Sequence, residues 1–318
     1  TVTTDGSTVT MTVSAGATTL GTATATAASG VATFSTVGIN GTVGTSYTLT
    51  FTKAGLTSAT QAITPTLGAA SQLVLTRAAS GAVNGAAFTT QPVVAVRDAG
   101  NNLVTTDNST VVTMTVNLGG TVVGTAAVTA ASGVVSFATV GLSGTTSTAY
   151  TLTFASGGLT SAIQGATVTP ALGAATQLAV TTAAGGAASG VAFTTQPVVA
   201  VRDAGGNTVT TDGSTVVTMT VSSGATVLGT ATATAASGVA TFAGVGINGT
   251  VGANYTLSFS SGSLTGATQG ATVSPALGAA SQLVLATAAA GAASGAAFTT
   301  QPVVAVRDAG NNTVTTDG

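Results

Sequence analysis

Hydrophobic and polar residues alternate with a period of two along most of the chain. In the stretch FTTQPVVAVRDAG (88–100), alternate residues form an apolar set and a more polar set. The apolar set comprises Phe88, Pro92, Val94 and Val96, and the more polar set comprises Gln91, Val93, Ala95 and Arg97. A period of two with an arginine on one face is typical of a half-buried β-strand. The stretch therefore predicts a strand whose valines at 94 and 96 face a core.

Six further runs between residues 68 and 172 have the same alternating character. They read SQLVLTR, STVVTMTV, GTVVGTAAVTA (split by a glycine), GVVSF, AYTLTF and GATVT. Seven short antiparallel strands separated by turn signals, with no helical period, are typical of an immunoglobulin-like (Ig-like) β-sandwich. An open Greek-key barrel is the alternative. One tyrosine opens the penultimate strand of each copy, at Tyr47, Tyr150 and Tyr255, where many such sandwiches have a tyrosine corner.

The stretch FTTQPVVAVRDAG returns unchanged at 193–205 and 298–310, a spacing of 105 residues. A fixed period of this length indicates tandem domains, one in each repeat. The prediction is an all-β chain of seven-stranded Ig-like β-sandwiches, with complete repeats at 68–172 and 173–277. Partial repeats are predicted at 1–67 (the last five strands) and 278–318 (the first two strands). Short junctions that contain proline, such as TPALGAATQL, are stiff, so we expect the domains to form a rod.

Neither partial repeat holds enough strands to bury a core alone. We expect residues 278–318 of one copy to complete residues 1–67 of another, in a head-to-tail contact. In that contact four residues should pack against five: Leu283, Leu285, Val304 and Val306 against Val9, Met11, Phe34, Leu49 and Phe51. Two origins stay open, namely a continuous fibre cut at an arbitrary point of its repeat, or a subunit boundary completed by strand addition.

The strand and its turn also carry a resemblance. VAVRDAGGNTV (199–209) resembles the V-x-V-x-D-x-x-G-N-x-V pattern of bacterial Ig-like repeats, which are strung together in long prokaryotic surface proteins and invasin-type adhesins; GAASQL, SGVATF and YTLTF resemble the same group. Asn101 and Asn311 stand where Gly206 stands, and asparagine is the next best residue for a left-handed turn. The resemblance implies an Ig-like fold and an extracellular or cell-surface location.

The composition argues against several functions. Charged residues make up 4% of the 318 residues, the formal net charge is −2, and the chain has neither His nor Cys. This charge does not attract nucleic acid or an anionic membrane, and no apolar run is long enough to predict a membrane span. A Ser or Thr nucleophile would need Lys53 or an Asp as its base, and Lys53 is the chain's only lysine. We therefore expect no catalytic residues and no enzymatic activity, no cofactor, and no nucleic-acid or membrane partner.

Carboxylates recur as pairs nine residues apart at the ends of the loop between the second and third strands. The pairs are Asp98 with Asp107, Asp203 with Asp212, and Asp308 with Asp317. Beside Asn and Thr oxygens, these carboxylates are the ligand type that Ca²⁺ accepts, although two carboxylates are few for a tight site. The alternative is structural, with one Asp paired to an arginine such as Arg97 and the other capping a turn.

Sequons for N-glycosylation are a further candidate feature. They begin at Asn40, Asn108, Asn248, Asn254 and Asn311. A nearly uncharged Ala/Thr/Val surface has little electrostatic repulsion to keep copies apart. The sequence therefore predicts either lateral bundling of rods or a glycan coat that prevents it.

These features together favour a structural segment of an extracellular prokaryotic filament or stalk that works by length and stiffness. The alternative is an adhesin repeat region that binds carbohydrate or another cell surface. The Phe and Tyr residues lie largely at positions predicted to face the core. Sugar-binding sites usually have exposed aromatic side chains, so this placement argues against the adhesin alternative.

Overall fold

The computed structural model describes residues 2–315 and shows an all-β chain, with no helix among these residues. Two compact units make up the chain. The first comprises residues 1–142 with 148–170, and the second comprises residues 143–147 with 171–318. Because no helix is present in the described part, none there is long and apolar enough to cross a membrane.

The strands before residue 170 are short and follow the alternating runs of the sequence. They are β1 (Thr8–Val13), β2 (Thr18–Leu20), β3 (Thr24–Ala28), β4 (Val31–Ala32), β5 (Gly38–Asn40), β6 (Tyr47–Thr52), β7 (Ala59–Ile63), β8 (Ala70–Arg77), β9 (Val93–Asp98), β10 (Val111–Val116), β11 (Thr121–Val123), β12 (Ala127–Thr129), β13 (Val134–Ser136), β14 (Gly141–Ser143), β15 (Leu152–Ala155) and β16 (Ala162–Ile163).

The strands after residue 170 repeat this arrangement. They are β17 (Gln177–Thr182), β18 (Val191–Ala192), β19 (Val198–Arg202), β20 (Val216–Val221), β21 (Thr226–Leu228), β22 (Thr232–Thr234), β23 (Val239–Thr241), β24 (Gly246–Asn248), β25 (Leu257–Ser260), β26 (Ala267–Thr268), β27 (Gln282–Thr287) and β28 (Val303–Arg307).

Two sheets supply the core between residues 73 and 168. One has the strand order β12-β10-β15-β16 and the other β13-β9-β8. Met114 lies opposite Phe154 in the first sheet, and Val94 lies opposite Val135 in the second. These four side chains belong to one buried cluster, so the two sheets pack face to face as a β-sandwich.

The next 105 residues form a second sandwich with the same registers. Its sheets have the orders β22-β20-β25-β26 and β17-β19-β23, with a small third sheet β18-β24-β21. A second buried cluster runs from Leu178 to Val273. Within it the rings of Phe242 and Phe259 pack with centroids 5.6 Å apart.

The strand count differs in detail from the seven predicted runs. The run GTVVGTAAVTA divides into β11 and β12 because Gly124 has a φ of +76°, where a Cβ would also lie 2.0 Å from the carbonyl oxygen of Thr139. The short strands β14 and β16 were not predicted, and the run GATVT pairs only through a bridge between Tyr150 and Val168. Ala95 was expected on the polar face but is buried. It lies on the central strand of its sheet, opposite Val74 on one neighbouring strand and Val134 on the other.

The two segments predicted as partial repeats hold fewer strands than the two sandwiches between them. Residues 8–63 form a five-stranded sheet with the order β4-β3-β1-β6-β7 and a pair β2-β5, without counterparts of β8 and β9. Residues 282–307 form only the pair β27-β28. Leu283 in that pair is 73% exposed, whereas its counterpart Leu178 in the complete repeat is 5% exposed.

Candidate functional site: a clamp between successive repeats

The turn after β9 is built by the sequence DAGNN at 98–102. The amide of Asn101 donates to the carbonyl oxygen of Asp98 at 3.0 Å, and Asn101 has a φ of +65°. The equivalent residues Gly206 and Asn311 have φ values of +78° and +66°. The left-handed turn expected from Asn or Gly at this position is therefore present in all three copies.

The carboxylate of Asp98 organises this turn although it is almost fully buried. One oxygen accepts from the backbone amide of Asn102 at 2.8 Å, and the other accepts from the amide of Gly68 at 3.1 Å. The side-chain Nδ2 of Asn102 donates to both oxygens, at 3.0 and 3.1 Å. Because Gly68 precedes β8, Asp98 joins the turn to the start of its own repeat.

The side chain of Asn102 extends the network to the preceding repeat. Its Nδ2 donates to the carbonyl oxygen of Gly41 at 2.9 Å, and its Oδ1 accepts from the amide of Val43 at 3.0 Å. Both residues belong to the loop 41–43, which we call a receiving loop together with 144–146 and 249–251. Two hydrogen bonds from one planar amide fix both the distance and the orientation of the loop.

The same network occurs three times along the chain. Asn207 donates to Gly144 at 2.9 Å and accepts from Thr146 at 2.9 Å. Asn312 donates to Gly249 at 2.8 Å and accepts from Val251 at 2.9 Å. We use the name junction clamp for the pairs Asp98–Asn102, Asp203–Asn207 and Asp308–Asn312.

Two of the recurring tyrosines form hydrogen bonds with the receiving loops. The hydroxyl oxygen of Tyr47 accepts from the amide of Thr42 at 2.9 Å, and the hydroxyl donates to the carbonyl oxygen of Gly16 at 3.3 Å. Tyr255 makes the same bonds with Thr250 and Gly224, at 3.0 and 3.2 Å. The tyrosine corner expected from the sequence is therefore present at these positions, and it positions the acceptors that the clamp contacts.

A glycine allows the two backbones to approach. A Cβ at Gly100 would lie 2.7 Å from the carbonyl oxygen of Gly41 and 2.8 Å from Nδ2 of Asn102. A Cβ at Gly310 would lie 2.3 Å from the carbonyl oxygen of Gly249. A side chain at either position must therefore push the receiving loop away from the turn.

Hydrogen bonding lowers the pKa of two clamp aspartates, Asp98 and Asp308. Burial alone would raise the pKa of Asp98 and of Asp308. The hydrogen bonds from the neighbouring asparagine and glycine groups outweigh burial, so that the pKa of each carboxyl lies below its ordinary value. The ionised carboxylate is thus the form that the folded turn favours.

We expect the clamp to weaken at acid pH. A carboxyl whose pKa is lowered by folding stabilises the fold above the unfolded pKa of about 3.9, and loses this contribution as pH falls through the folded pKa. The stability of the turns at 98–102 and 308–312 should therefore be constant from pH 7 to about pH 5 and decrease below about pH 4. A titration of the Asp98 carboxyl carbon by NMR checks this, and a midpoint above that of a free aspartate would contradict it.

Five of the six aspartates predicted as Ca²⁺ ligands lie in the described residues, and they take two different roles. Asp98, Asp203 and Asp308 form the clamps, whereas Asp107 and Asp212 each accept from two backbone amides, those of Ser109 and Thr110 or of Ser214 and Thr215, at 2.9–3.0 Å. Asp317 lies outside the described residues. Among residues 2–315, no three acidic, His or Cys side chains form a metal-binding group. Ca²⁺ binding stays a prediction that these contacts do not test.

Arg97 and the sequons complete the set of candidates. Nη1 of Arg97 donates to the carbonyl oxygen of Asn101 at 2.7 Å, which adds a further contact to the clamp turn. Three sequon asparagines are exposed and two are half-buried. The exposed ones are Asn108, Asn254 and Asn311, and the half-buried ones are Asn40 and Asn248. Glycosylation stays a prediction for all five.

The clamp asparagines were not among the functional residues predicted from the sequence. Asn102, Asn207 and Asn312 are identical in the three copies, while the residue before them varies between Asn and Gly. A turn needs Asn or Gly only at the left-handed position, so an invariant asparagine after it was a signal for a side-chain contact.

Comparisons with known proteins give only distant similarities. No protein-family profile matches the chain, and no curated protein matches it. Solved structures similar to it include a β-glycosidase from Bacteroides vulgatus (13% identity, TM-score 0.27), the Yersinia pseudotuberculosis adhesin InvE (21%, 0.25) and the Escherichia coli adhesin FdeC (14%, 0.27). The matches cover 65%, 63% and 85% of this chain, and 25%, 58% and 85% of those chains. The chain thus spans a quarter of the glycosidase, and at these scores the similarities carry no argument about function.

Proposed function

We propose that the chain is a structural segment of an extracellular prokaryotic filament or stalk built of tandem Ig-like domains, and that the junction clamps have a structural role in it. The observation that supports this proposal is the threefold recurrence of the clamp. In each copy one asparagine side chain makes two hydrogen bonds to a receiving loop, all between 2.8 and 3.0 Å. A hydrogen-bonded link that recurs with the repeat is the kind of local contact by which neighbouring repeats support one another, which favours a structural role.

The chemistry of the clamp supports a structural role over a catalytic one. Each clamp carboxylate is engaged by amide donors of its own turn and of the preceding linker glycine, namely Gly68, Gly173 or Gly278. A general base must instead reach a substrate proton. We therefore propose no catalytic role for these aspartates, and no enzymatic activity for the chain.

The surface supports an extracellular location. Charged residues at 4% are far fewer than the quarter that is usual for globular domains, and threonines line the exposed face of β1. Thr8, Thr10 and Thr12 of β1 are all exposed. This composition agrees with the resemblance to bacterial Ig-like surface repeats that the strand-and-turn sequence carries.

Electron microscopy of native material tests this function. We expect threads with beads at a regular spacing of one domain. Compact particles without a regular spacing would contradict the proposal. Saturable binding of the repeats to cells, competed by a free sugar, would instead favour the adhesin interpretation.

A further inference from the structure

In two of the receiving loops the first glycine follows an asparagine. The pairs are Asn40–Gly41 and Asn248–Gly249, whereas the corresponding pair of the repeat between them is Ser143–Gly144. In an Asn-Gly pair the backbone nitrogen of the glycine can reach the side-chain carbonyl carbon of the asparagine, because glycine has no Cβ to obstruct the approach. Such a pair can therefore lose its side-chain nitrogen as ammonia without an enzyme.

The tyrosine corner requires the glycine of each pair. A Cβ at Gly41 would lie 2.6 Å from Cε2 of Tyr47, and a Cβ at Gly249 would lie 2.7 Å from Cε2 of Tyr255. Distances this short leave no room for a side chain. The fold thus retains a glycine at these positions, and an asparagine before it creates the reactive pair.

The side-chain oxygen of Asn248 is not tied to a neighbour. Asn248 is half-buried at the end of β24, in the second sandwich. Its Oδ1 is buried and has no hydrogen-bond partner among the described residues. Rotation of the carboxamide toward the nitrogen of Gly249 therefore breaks no hydrogen bond to this oxygen. Asn40 has the equivalent place at the end of β5 and is also half-buried.

The junction clamp restrains the glycine of the pair. The carbonyl oxygen of Gly249 accepts from Nδ2 of Asn312 at 2.8 Å, and the amide of Val251 donates to Oδ1 of Asn312 at 2.9 Å. Closing a ring between Gly249 and Asn248 changes the direction of the backbone between them and displaces this carbonyl group. The two clamp bonds must therefore open before the reaction can occur.

We propose that Asn40 and Asn248 are sites of spontaneous deamidation, and that the junction clamp of each loop controls its rate. The nitrogen of the following glycine loses its proton to solvent and attacks Cγ of the asparagine. The bond between Cγ and Nδ2 breaks, and Nδ2 leaves as ammonia after taking a proton from water. Water then opens the five-membered succinimide at either carbonyl group and gives aspartate or isoaspartate. The reaction consumes water, releases ammonia and changes no oxidation state.

The product weakens the clamp that slowed its formation. Isoaspartate carries the main chain through its β-carbon, so the backbone gains a methylene group directly before Gly41 or Gly249. The carbonyl oxygens of these glycines accept from Asn102 and Asn312, and a hydrogen bond depends on their distance and direction. Deamidation therefore turns a transient opening of the clamp into a permanent one. This chemistry does not depend on the filament function proposed above.

Mass spectrometry of peptides from the full chain, incubated at mildly alkaline pH, tests the proposal. Asn102→Ala should accelerate conversion of Asn40 about tenfold relative to the unmodified chain, because two hydrogen bonds no longer hold its loop. The rate at Asn248 should stay unchanged in this variant, since that loop has its own clamp. Asn312→Ala should accelerate conversion of Asn248 and leave the rate at Asn40 unchanged.

Three controls come from the chain itself. Asn117→Ala removes a hydrogen bond to the amide of Thr151 at another turn and should change neither rate. Asn84–Gly85 is a further Asn-Gly pair, but Asn84 is only 3% exposed, so its conversion should stay slower than that of Asn248. Asn248→Ser, which copies Ser143 of the preceding repeat, should abolish the conversion at this position.

Three results would overturn the proposal. One is an unchanged rate at Asn40 in Asn102→Ala and at Asn248 in Asn312→Ala. Another is equal acceleration at Asn40, Asn84 and Asn248 in either variant, which would mean that unfolding of the whole chain controls the rate. The third is aspartate without isoaspartate, because direct hydrolysis of the side chain does not pass through the ring. None of these results bears on the beaded threads expected of native material, so the two proposals fail independently.

Discussion

Replacing Val94 with Asp is expected to unfold the repeat at 68–172 while the following repeat stays folded. Val94 is fully buried at the centre of a three-stranded sheet and lies opposite Val135. An unpaired carboxylate there costs several kcal/mol, which is comparable to the whole stability of a domain, about 5–15 kcal/mol. Chemical denaturation monitored by NMR signals from each repeat would show an early transition for residues 68–172 only.

A matched control separates burial from the added charge. Val111 is 48% exposed on β10, in the other sheet of the same sandwich, so Val111→Asp should change the free energy of unfolding by less than about 1 kcal/mol. If Val94→Asp melts like the unmodified chain, the assignment of this face to the core is wrong.

Replacing Asp203 with Ala is expected to have the largest effect on a clamp. Its carboxylate accepts from the amides of Gly173, Gly205 and Asn207 at 2.9–3.1 Å, and from Nδ2 of Asn207. Each buried donor left without an acceptor costs about 1–3 kcal/mol. A loss of about 3 kcal/mol should accelerate exchange of these three amides with deuterated solvent about a hundredfold.

The variant Asp212→Ala serves as the control for this prediction. Asp212 accepts from Ser214 and Thr215 at a more exposed turn, and its loss should leave exchange at the clamp amides unchanged. Unchanged exchange in Asp203→Ala as well would mean that the carboxylate does not hold the turn.

The core residues of this strand could be predicted from the sequence because alternate side chains of a strand point to opposite faces of the sheet. The alternation that places Val94 and Val96 on one face is a local property of the chain, and both side chains are fully buried. The strand β14 could not be predicted in this way, because a three-residue strand with a glycine has no period to detect. Its position depends on neighbours far along the chain, such as Ala87, which bridges to Gly141.

The clamp illustrates a second limit of sequence analysis. Asp98 and Asp107 were grouped because they flank one loop, but their carboxylates bind the amides of two separate turns. Asn101 was assigned to the turn, whereas the side chain of the next residue, Asn102, bonds residues about 60 positions earlier, at Gly41 and Val43. Spacing along the chain indicates which groups can share a loop, but the partner of a side chain depends on the assembled fold.

The central claim is that the clamp at 98–102 fixes the repeat at 68–172 relative to the segment before it, and a distance measurement tests it directly. Spin labels at Thr12→Cys and Thr115→Cys occupy equivalent exposed positions on β1 and β10, on the two sides of the clamp at 98–102. Electron–electron double resonance should give one narrow distance distribution in the otherwise unmodified chain.

Two changes to the clamp and one control complete this measurement. Asn102→Ala removes both hydrogen bonds to the receiving loop, and Gly100→Ala places a methyl group against Gly41. Each change should broaden the distribution, whereas Gly157→Ala, where a Cβ meets no atom within 4 Å, should leave it narrow. A broad distribution in the unmodified chain, or a narrow one that neither clamp variant alters, would contradict the claim that the clamp at 98–102 holds the repeat at 68–172 in a fixed relation to the segment before it.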